Sequence, residues 1–277
     1  MNTTREAVAP AASGPTATRP SARPRPFLHA LDPLAKVAAP LPAMAFVLFA
    51  RDIATPLAFL LLSYAVVLAG ARLTRPTARM LGVALPATIV VVGIGFTLWA
   101  DASRVAGTPV LLETGGWRLY AGAVETGLAT GLRLGALLAL ALIGGATTEG
   151  PDLVRSAIRT LHLPYRVGYT ALAAYRFVPR FRHELDVIRA AHRVRGHHGG
   201  RGPIAALRRG FGYIVPLLAG AIRHAERVAL AMDARAFGAH PTRTERRVVP
   251  WRRRDTVFLV TFWILTAVLL WIARAFG

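Results

Sequence analysis

GAVETGLATGLRLGALLALALIGGA, residues Gly122–Ala146, is followed at once by Thr147, Thr148, Glu149, Gly150, Pro151 and Asp152. The first stretch is apolar enough, and long enough, to cross a hydrocarbon core that needs roughly 20 residues. The second reads as a helix start, with hydroxyls able to cap, a proline in the first turn and an acid near the positive end of the dipole. Here a membrane span gives way to a charged helical insertion, and the rest of the chain can be ordered around that point.

Upstream, three further apolar stretches have spanning length: Leu34–Ala50, Ile53–Ala69 and Leu81–Ala100. Downstream there is one more, Thr256–Ala273. The pattern predicts an all-α polytopic membrane protein with about five transmembrane helices. Pro40 and Pro42 interrupt the first span, and only Arg51 and Asp52 separate it from the second, so these two are expected as separate spans or as a tightly turned or re-entrant pair.

Charge sets the orientation. Arg72, Arg75 and Arg79 lie between the second and third spans, whereas Asp101–Arg118 balances Arg104 and Arg118 against Asp101 and Glu113. Arginine-rich loops resist translocation, so the N-terminus and the segment Gly150–Arg254 are expected inside. That segment carries 21 Arg against six Asp or Glu. The whole chain has 277 residues, 54% of them hydrophobic, a formal charge of +20 and a mean hydropathy of +0.43. A soluble nucleic-acid binder can be as basic, but does not carry several apolar runs of spanning length. There is no cysteine, which excludes disulfides and thiolate chemistry, and Lys36 is the sole lysine. Residues 1–26, rich in Ala, Pro, Ser, Thr and Arg, read as a disordered basic tail without the apolar core of a secretory signal.

Within the insertion, a short helix is expected to about Thr160. Pro164 opens a longer pattern with apolar residues at Val167, Ala171, Ala174, Val178, Phe181, Leu185 and Ile188. Pro203 opens another, at Ile204, Leu207, Phe211, Ile214, Leu218, Ile222 and Ala225. Each contains an internal proline, Pro179 and Pro216. A mid-helix proline costs about 3 kcal/mol, which predicts a kink or a break at each. Both patterns end alike, in Val194-Arg195-Gly196 and in Ala234-Arg235-Ala236 with Gly238 soon after. One such arginine is an ordinary helix-end cation, worth about 0.3–1 kcal/mol against the dipole. Two parallel arginines on matching helices form a two-pronged connector, each fork able to bind a partner's carboxylate.

These residues resemble the T components of energy-coupling factor transporters. The resemblance rests on Leu28-His29-Ala30-Leu31-Asp32-Pro33 with Lys36, on Arg133 and Thr147-Thr148, on Leu163-Pro164, on Tyr175-Arg176-Phe177-Val178-Pro179 with Glu184 and Ile188, and on the two arginine-ended segments. It implies a non-catalytic subunit of an ATP-driven uptake transporter in the bacterial plasma membrane, for a vitamin or a metal ion. Its partners would be two ATP-binding cassette ATPases, a substrate-binding membrane S component and the lipid bilayer, with no nucleic acid and no cofactor. It also implies that Arg195 and Arg235 dock into the ATPases, with Val194, Gly196, Ala234 and Ala236 as neighbours. The second family motif usually continues Arg-Gly, and Ala236 stands in that glycine's place. On this reading residues 27–148 hold spans one to four, 149–254 a coupling-helix domain and 255–277 the last span.

What the sequence lacks agrees. There is no Gly-x-x-x-x-Gly-Lys-Ser/Thr loop for ATP phosphates. His192, His197 and His198 cluster among arginines without a nearby carboxylate, so no metal site is expected. Ser63, Ser103 and Ser156 sit in no nucleophile-elbow setting. Gly127, Gly131 and Gly135 form a small-residue ridge, for internal helix packing or for an S-component contact. Arg133, on the same helix, needs a partner or the outer interface, and Glu125 is one option. The remaining alternative is a membrane-anchored binder of anionic lipid or nucleic acid.

Overall fold

The computed structural model describes residues 26–50, 52–101, 105, 107–114, 117–196, 202–240 and 249–276; the basic tail, Arg51, Ser103, Arg104, His197 and His198 lie outside them. After a short 3-10 turn, Phe27–Ala30, come α1 (Pro33–Ala38) and α2 (Leu41–Phe49). Asp32 caps α1, accepting a hydrogen bond from the Leu34 N–H, and Pro33 occupies the first turn, where its missing donor costs nothing. The Pro40 and Pro42 pair divides α1 from α2, as their positions imply.

Helix α3 (Ala54–Gly70) returns alongside. Its 17 residues span about 26 Å, a little short of the roughly 30 Å hydrocarbon core. The turn between α2 and α3 is held against the middle of the fourth span, where the Arg133 guanidinium donates to the Ala50 carbonyl. Arg133 thus caps the end of α2, near Asp52, and Glu125 is exposed and not its partner. The first two apolar stretches, α1–α2 and α3, are joined by a short turn, and each is shorter than the helices long enough to cross a membrane.

Helix α4 (Arg75–Leu98) contains one π turn, Met80–Ala84, just ahead of Pro86. Proline offers no N–H to the ladder, and widening the turn upstream accommodates the missing rung. The Tyr64 hydroxyl donates to the Leu81 carbonyl at 2.7 Å, satisfying one acceptor in that turn. Between α4 and the next span lies an antiparallel hairpin, β1 (Val110–Thr114) and β2 (Trp117–Tyr120), with a Glu113–Arg118 ion pair at 2.8 Å. Strands of five and four residues carry too short an alternation to stand out in the sequence.

Helix α5 (Ala121–Gly145) is the axis of the membrane part. Its apolar window is 61% buried, against 11% in α4 and in α9 (Arg253–Phe276), whose outward faces present Val91, Phe96, Trp263 and Trp271. Around α5 the core runs from Val47 through Phe59 and Val67 to Ala136, Leu140 and Ile143. Gly127, Gly131 and Gly135 face α4. A methyl at Gly127 would lie 2.9 Å from the Thr97 nitrogen, and one at Gly131 would lie 2.5 Å from the Ile89 carbonyl oxygen. Only hydrogens fit there, so the two backbones are pressed together along the ridge.

Among the described residues the charged insertion is three helices, α6 (Gly150–Thr160), α7 (Tyr165–Val194) and α8 (Pro203–Asp233). Of the kink or break expected at Pro179 and Pro216, no break occurs: α7 and α8 each run on through the proline. The carbonyls four residues earlier belong to Tyr175 and Gly212, both exposed, so the missing donor leaves neither of them buried.

Candidate functional site

Helices α7 and α8 run antiparallel. Phe177 stacks on His224 at 4.5 Å, the Glu184 side chain lies against Gly220, and His192 meets Tyr213 edge-on at 5.2 Å, so contacts descend one helix as they climb the other. Arg195 and Arg235 therefore stand at opposite ends of the pair. They are not side by side, as the matching helix ends had suggested. Thirty residues at 1.5 Å each put roughly 45 Å between the ends of α7.

Both tips use one local geometry. At the first, the Arg195 N–H bonds to the Ala191 carbonyl at 3.1 Å and the Gly196 N–H to the Arg193 carbonyl at 3.1 Å, with Gly196 at φ +72°. At the second, the Phe237 N–H bonds to the Met232 carbonyl at 3.0 Å and the Ala236 N–H to the Asp233 carbonyl at 2.9 Å, with Ala236 at φ +55°. The second is a Schellman ending with Ala236 in the left-handed position that favours glycine. Each arginine immediately precedes the left-handed residue that ends its helix and stands exposed there. All six motif residues are exposed, Val194 to 90%. Neither Arg195 nor Arg235 pairs with an acid among the described residues.

The second tip is buttressed. Phe237 packs edge-on against Tyr165 and Tyr169, with centroids 5.8 and 6.4 Å away. The Arg166 guanidinium donates to the Gly238 carbonyl at 2.5 Å, and the Tyr165 hydroxyl to the His240 carbonyl at 2.6 Å. Between α7 and α8 beside it lies an open groove of about 1230 Å³, lined by Arg155, Arg176, Arg180 and Arg235 and, among the described residues, by no carboxylate. A surface of this kind suits an acidic partner.

Next to Arg155, at Ser156 of α6, is a buried polar junction. The Asp32 Oδ1 that caps α1 also accepts the Ser156 hydroxyl of α6 at 2.5 Å. The Asp32 N–H donates to Asp255 Oδ1 at 2.8 Å, and Asp255 Oδ2 accepts the Arg252 N–H at 2.6 Å, capping α9. Lys36 Nζ donates to the Thr147 carbonyl at 2.7 Å, a cation on the C-terminal end of α5. Arg254 donates to the Ala30 carbonyl. Asp32 and Lys36 are each 2% exposed, Asp255 1% and Ser156 0%. Burial, and then the charges of Lys36 and Arg72, hold the nearby His29 imidazole below its usual pKa.

The sequence marks Asp32 and Lys36 but names a partner for neither, and in Ser156 it shows only a hydroxyl outside any nucleophile-elbow setting. The signal for the junction was an acid at the start of both the first and the last span, Asp32 and Asp255. The glycine ridge is filled by α4, so a partner could reach it only if α4 moved away. His192, from the histidine cluster, packs on Tyr213.

Residues 24–245 match the family model described as CbiQ, cobalt transport protein. The chain is similar to the energy-coupling factor transporter transmembrane protein EcfT of Staphylococcus aureus, 30% identical over 259 residues, covering 91% of this chain and 94% of that protein. It is similar to the protein of the same name from Limosilactobacillus fermentum, 29% identical over 265 residues, covering 89% and 93%. A putative ABC transporter ATP-binding protein of Bifidobacterium longum is 31% identical over 285 residues, which is 95% of this chain but 35% of that longer protein.

Proposed function

This chain belongs to the CbiQ family of cobalt transport proteins and is a transmembrane component of an energy-coupling factor transporter, and from that premise we propose that it carries ATP-driven motion from two partner ATPases to a substrate-binding S component. The observation that carries the proposal is the pair of exposed arginines, Arg195 and Arg235, one at each end of an antiparallel helix pair. Two separated cationic tips suit two copies or halves of an ATPase dimer, each offering a carboxylate to a planar fork. The Bifidobacterium longum relative supports an ATPase partner, since a region alike to this whole chain sits there within a larger protein named for ATP binding.

In this mechanism the chain hydrolyses nothing. Closure of the ATPases shifts the two tips, α7 and α8 move as packed rods, and the S component rides on that movement to present its site to the other side of the membrane. The S component selects the cargo, a micronutrient such as a vitamin or a metal ion. The N-terminus and the insertion Gly150–Arg254 lie in the cytoplasm, and the protein resides in the bacterial plasma membrane.

The test is co-purification of candidate ATP-binding cassette ATPases with the wild-type chain and with Arg195→Glu plus Arg235→Glu. Capture by the wild type and its loss in the double reversal is the expected result. If the wild type captures no ATPase under conditions that preserve such complexes, the transport reading fails, and salt-dependent binding to anionic vesicles or nucleic acid becomes the next measurement.

A further inference from the structure

Three segments far apart in sequence meet at Asp32, whose carboxylate accepts from Ser156 and whose backbone N–H donates to Asp255. Ser156 lies 124 residues away and Asp255 lies 223 away, yet both bond to Asp32 directly. The first contact is between the cytoplasmic insertion and the membrane part; the second joins the first span to the last. Lys36, one turn further along α1, fastens the same short helix to the end of α5. Helix α1 is thus tied to α5, α6 and α9 at once.

On its other face α6 is keyed to α7. Gly168 of α7 lies so close to the Ile158 side chain that no Cβ fits between them, and Gly150 sits 2.9 Å, as a Cβ would measure it, from the Tyr175 ring. A tilt of α7 is therefore delivered to α6 with little slack. Helix α6 cannot slide along α1 without parting the Ser156 hydroxyl from the carboxylate. That would leave a buried carboxyl group with one bond fewer, while Asp32 Oδ2 already has no partner among the described residues. A single short bond of this kind permits rotation about itself and resists translation, which is the property of a pivot.

We infer that the Asp32–Ser156 hydrogen bond is the joint through which movement of the cytoplasmic helices reaches the membrane spans. Ser156 and Asp32 are positioning residues: they touch neither ATP nor cargo, and they determine whether displacement at the arginine tips rearranges the bundle. The inference rests on the proposed coupling role and adds its point of transmission.

The chain has no cysteine, so paired cysteines can carry spin labels without background. Lipid-facing Val91 on α4 and Val268 on α9 are suitable positions, being 69% and 48% exposed. The labelled chain is assembled with its ATPases and S component in lipid nanodiscs. The distance between labels is measured without nucleotide and with ATP and vanadate. In the wild type the distance changes on trapping; in Ser156→Ala the change is lost while the complex stays assembled and its ATPases still turn over; Ser156→Thr, which keeps the hydroxyl, restores it. Should Ser156→Ala not assemble, Asp32→Asn, which keeps an acceptor oxygen but not the charge, is expected to diminish the change. A full wild-type response in whichever of these variants assembles overturns the inference. A wild-type chain that assembles with no ATPase overturns the coupling role instead, so the two failures are distinct.

Discussion

The two arginine tips share a backbone and differ in how they keep it. At the first, glycine supplies the left-handed residue without steric cost, and the exposed Val194 beside it makes no covering contact. At the second, alanine occupies that conformation, at a cost of roughly 1 kcal/mol or more relative to glycine. The rings of Phe237, Tyr165 and Tyr169 and the Arg166 bond to Gly238 hold it there. One tip is a property of its own sequence. The other is enforced by the start of a helix some seventy residues earlier. The lesson is that a motif letter lost from one position can be replaced by packing elsewhere, so long as the backbone it specified is retained.

The largest effects expected are on partner binding. Arg195→Glu and Arg235→Glu should each weaken capture of an ATPase by about 2–5 kcal/mol, the scale for unpairing a buried interfacial charge, measured by titrating immobilised chain with purified ATPase. Unequal losses would show that the buttressed and the bare tip are not equivalent prongs. Next comes the buttress itself. Phe237→Ala should destabilise the second tip by about 1–3 kcal/mol, seen as faster amide exchange over residues 234–240 with none at 194–196. Faster exchange at both ends would mean that the tips are coupled through α7 and α8. The smallest effects come from the left-handed residues. Gly196→Ala should cost about 1 kcal/mol locally, while Ala236→Gly should gain about 0.5–1 kcal/mol, the extra freedom of glycine in the unfolded chain offsetting part of the relief. Amide exchange at each tip reads both. If Ala236→Gly instead loosens its tip, the aromatic buttress alone fixes the geometry.

Local signals made much of this legible in advance. The span at residues 122–146, the helix start at Glu149–Asp152 and the paired Arg195 and Arg235 endings depend on neighbours within a few residues, which is what composition and period record. Pro40 and Pro42 marked the α1–α2 division for the same reason. The relative placement of the arginines did not follow, because nothing in either ending states whether α7 and α8 run parallel or antiparallel; Phe177 on His224 and Phe237 on Tyr165 decide it across long separations. The partner of Arg133 was missed similarly. Glu125 was the nearest acid along the helix, whereas Ala50 was the nearest helix end in space. That α7 and α8 run unbroken through their prolines was hidden for a different cause: the cost of a missing hydrogen bond depends on whether water can reach the orphaned carbonyl, and exposure is a tertiary property.

A chain with 34 lysines and arginines has one lysine, and the structure hides it. Apart from the amino terminus, amine-directed reagents thus find no freely accessible target on the described surface. Labelling of Lys36 becomes a report on access to the base of the bundle. Under turnover, modification at that single nitrogen would register each occasion on which α1 parts from the end of α5, timed by chemistry and read by mass.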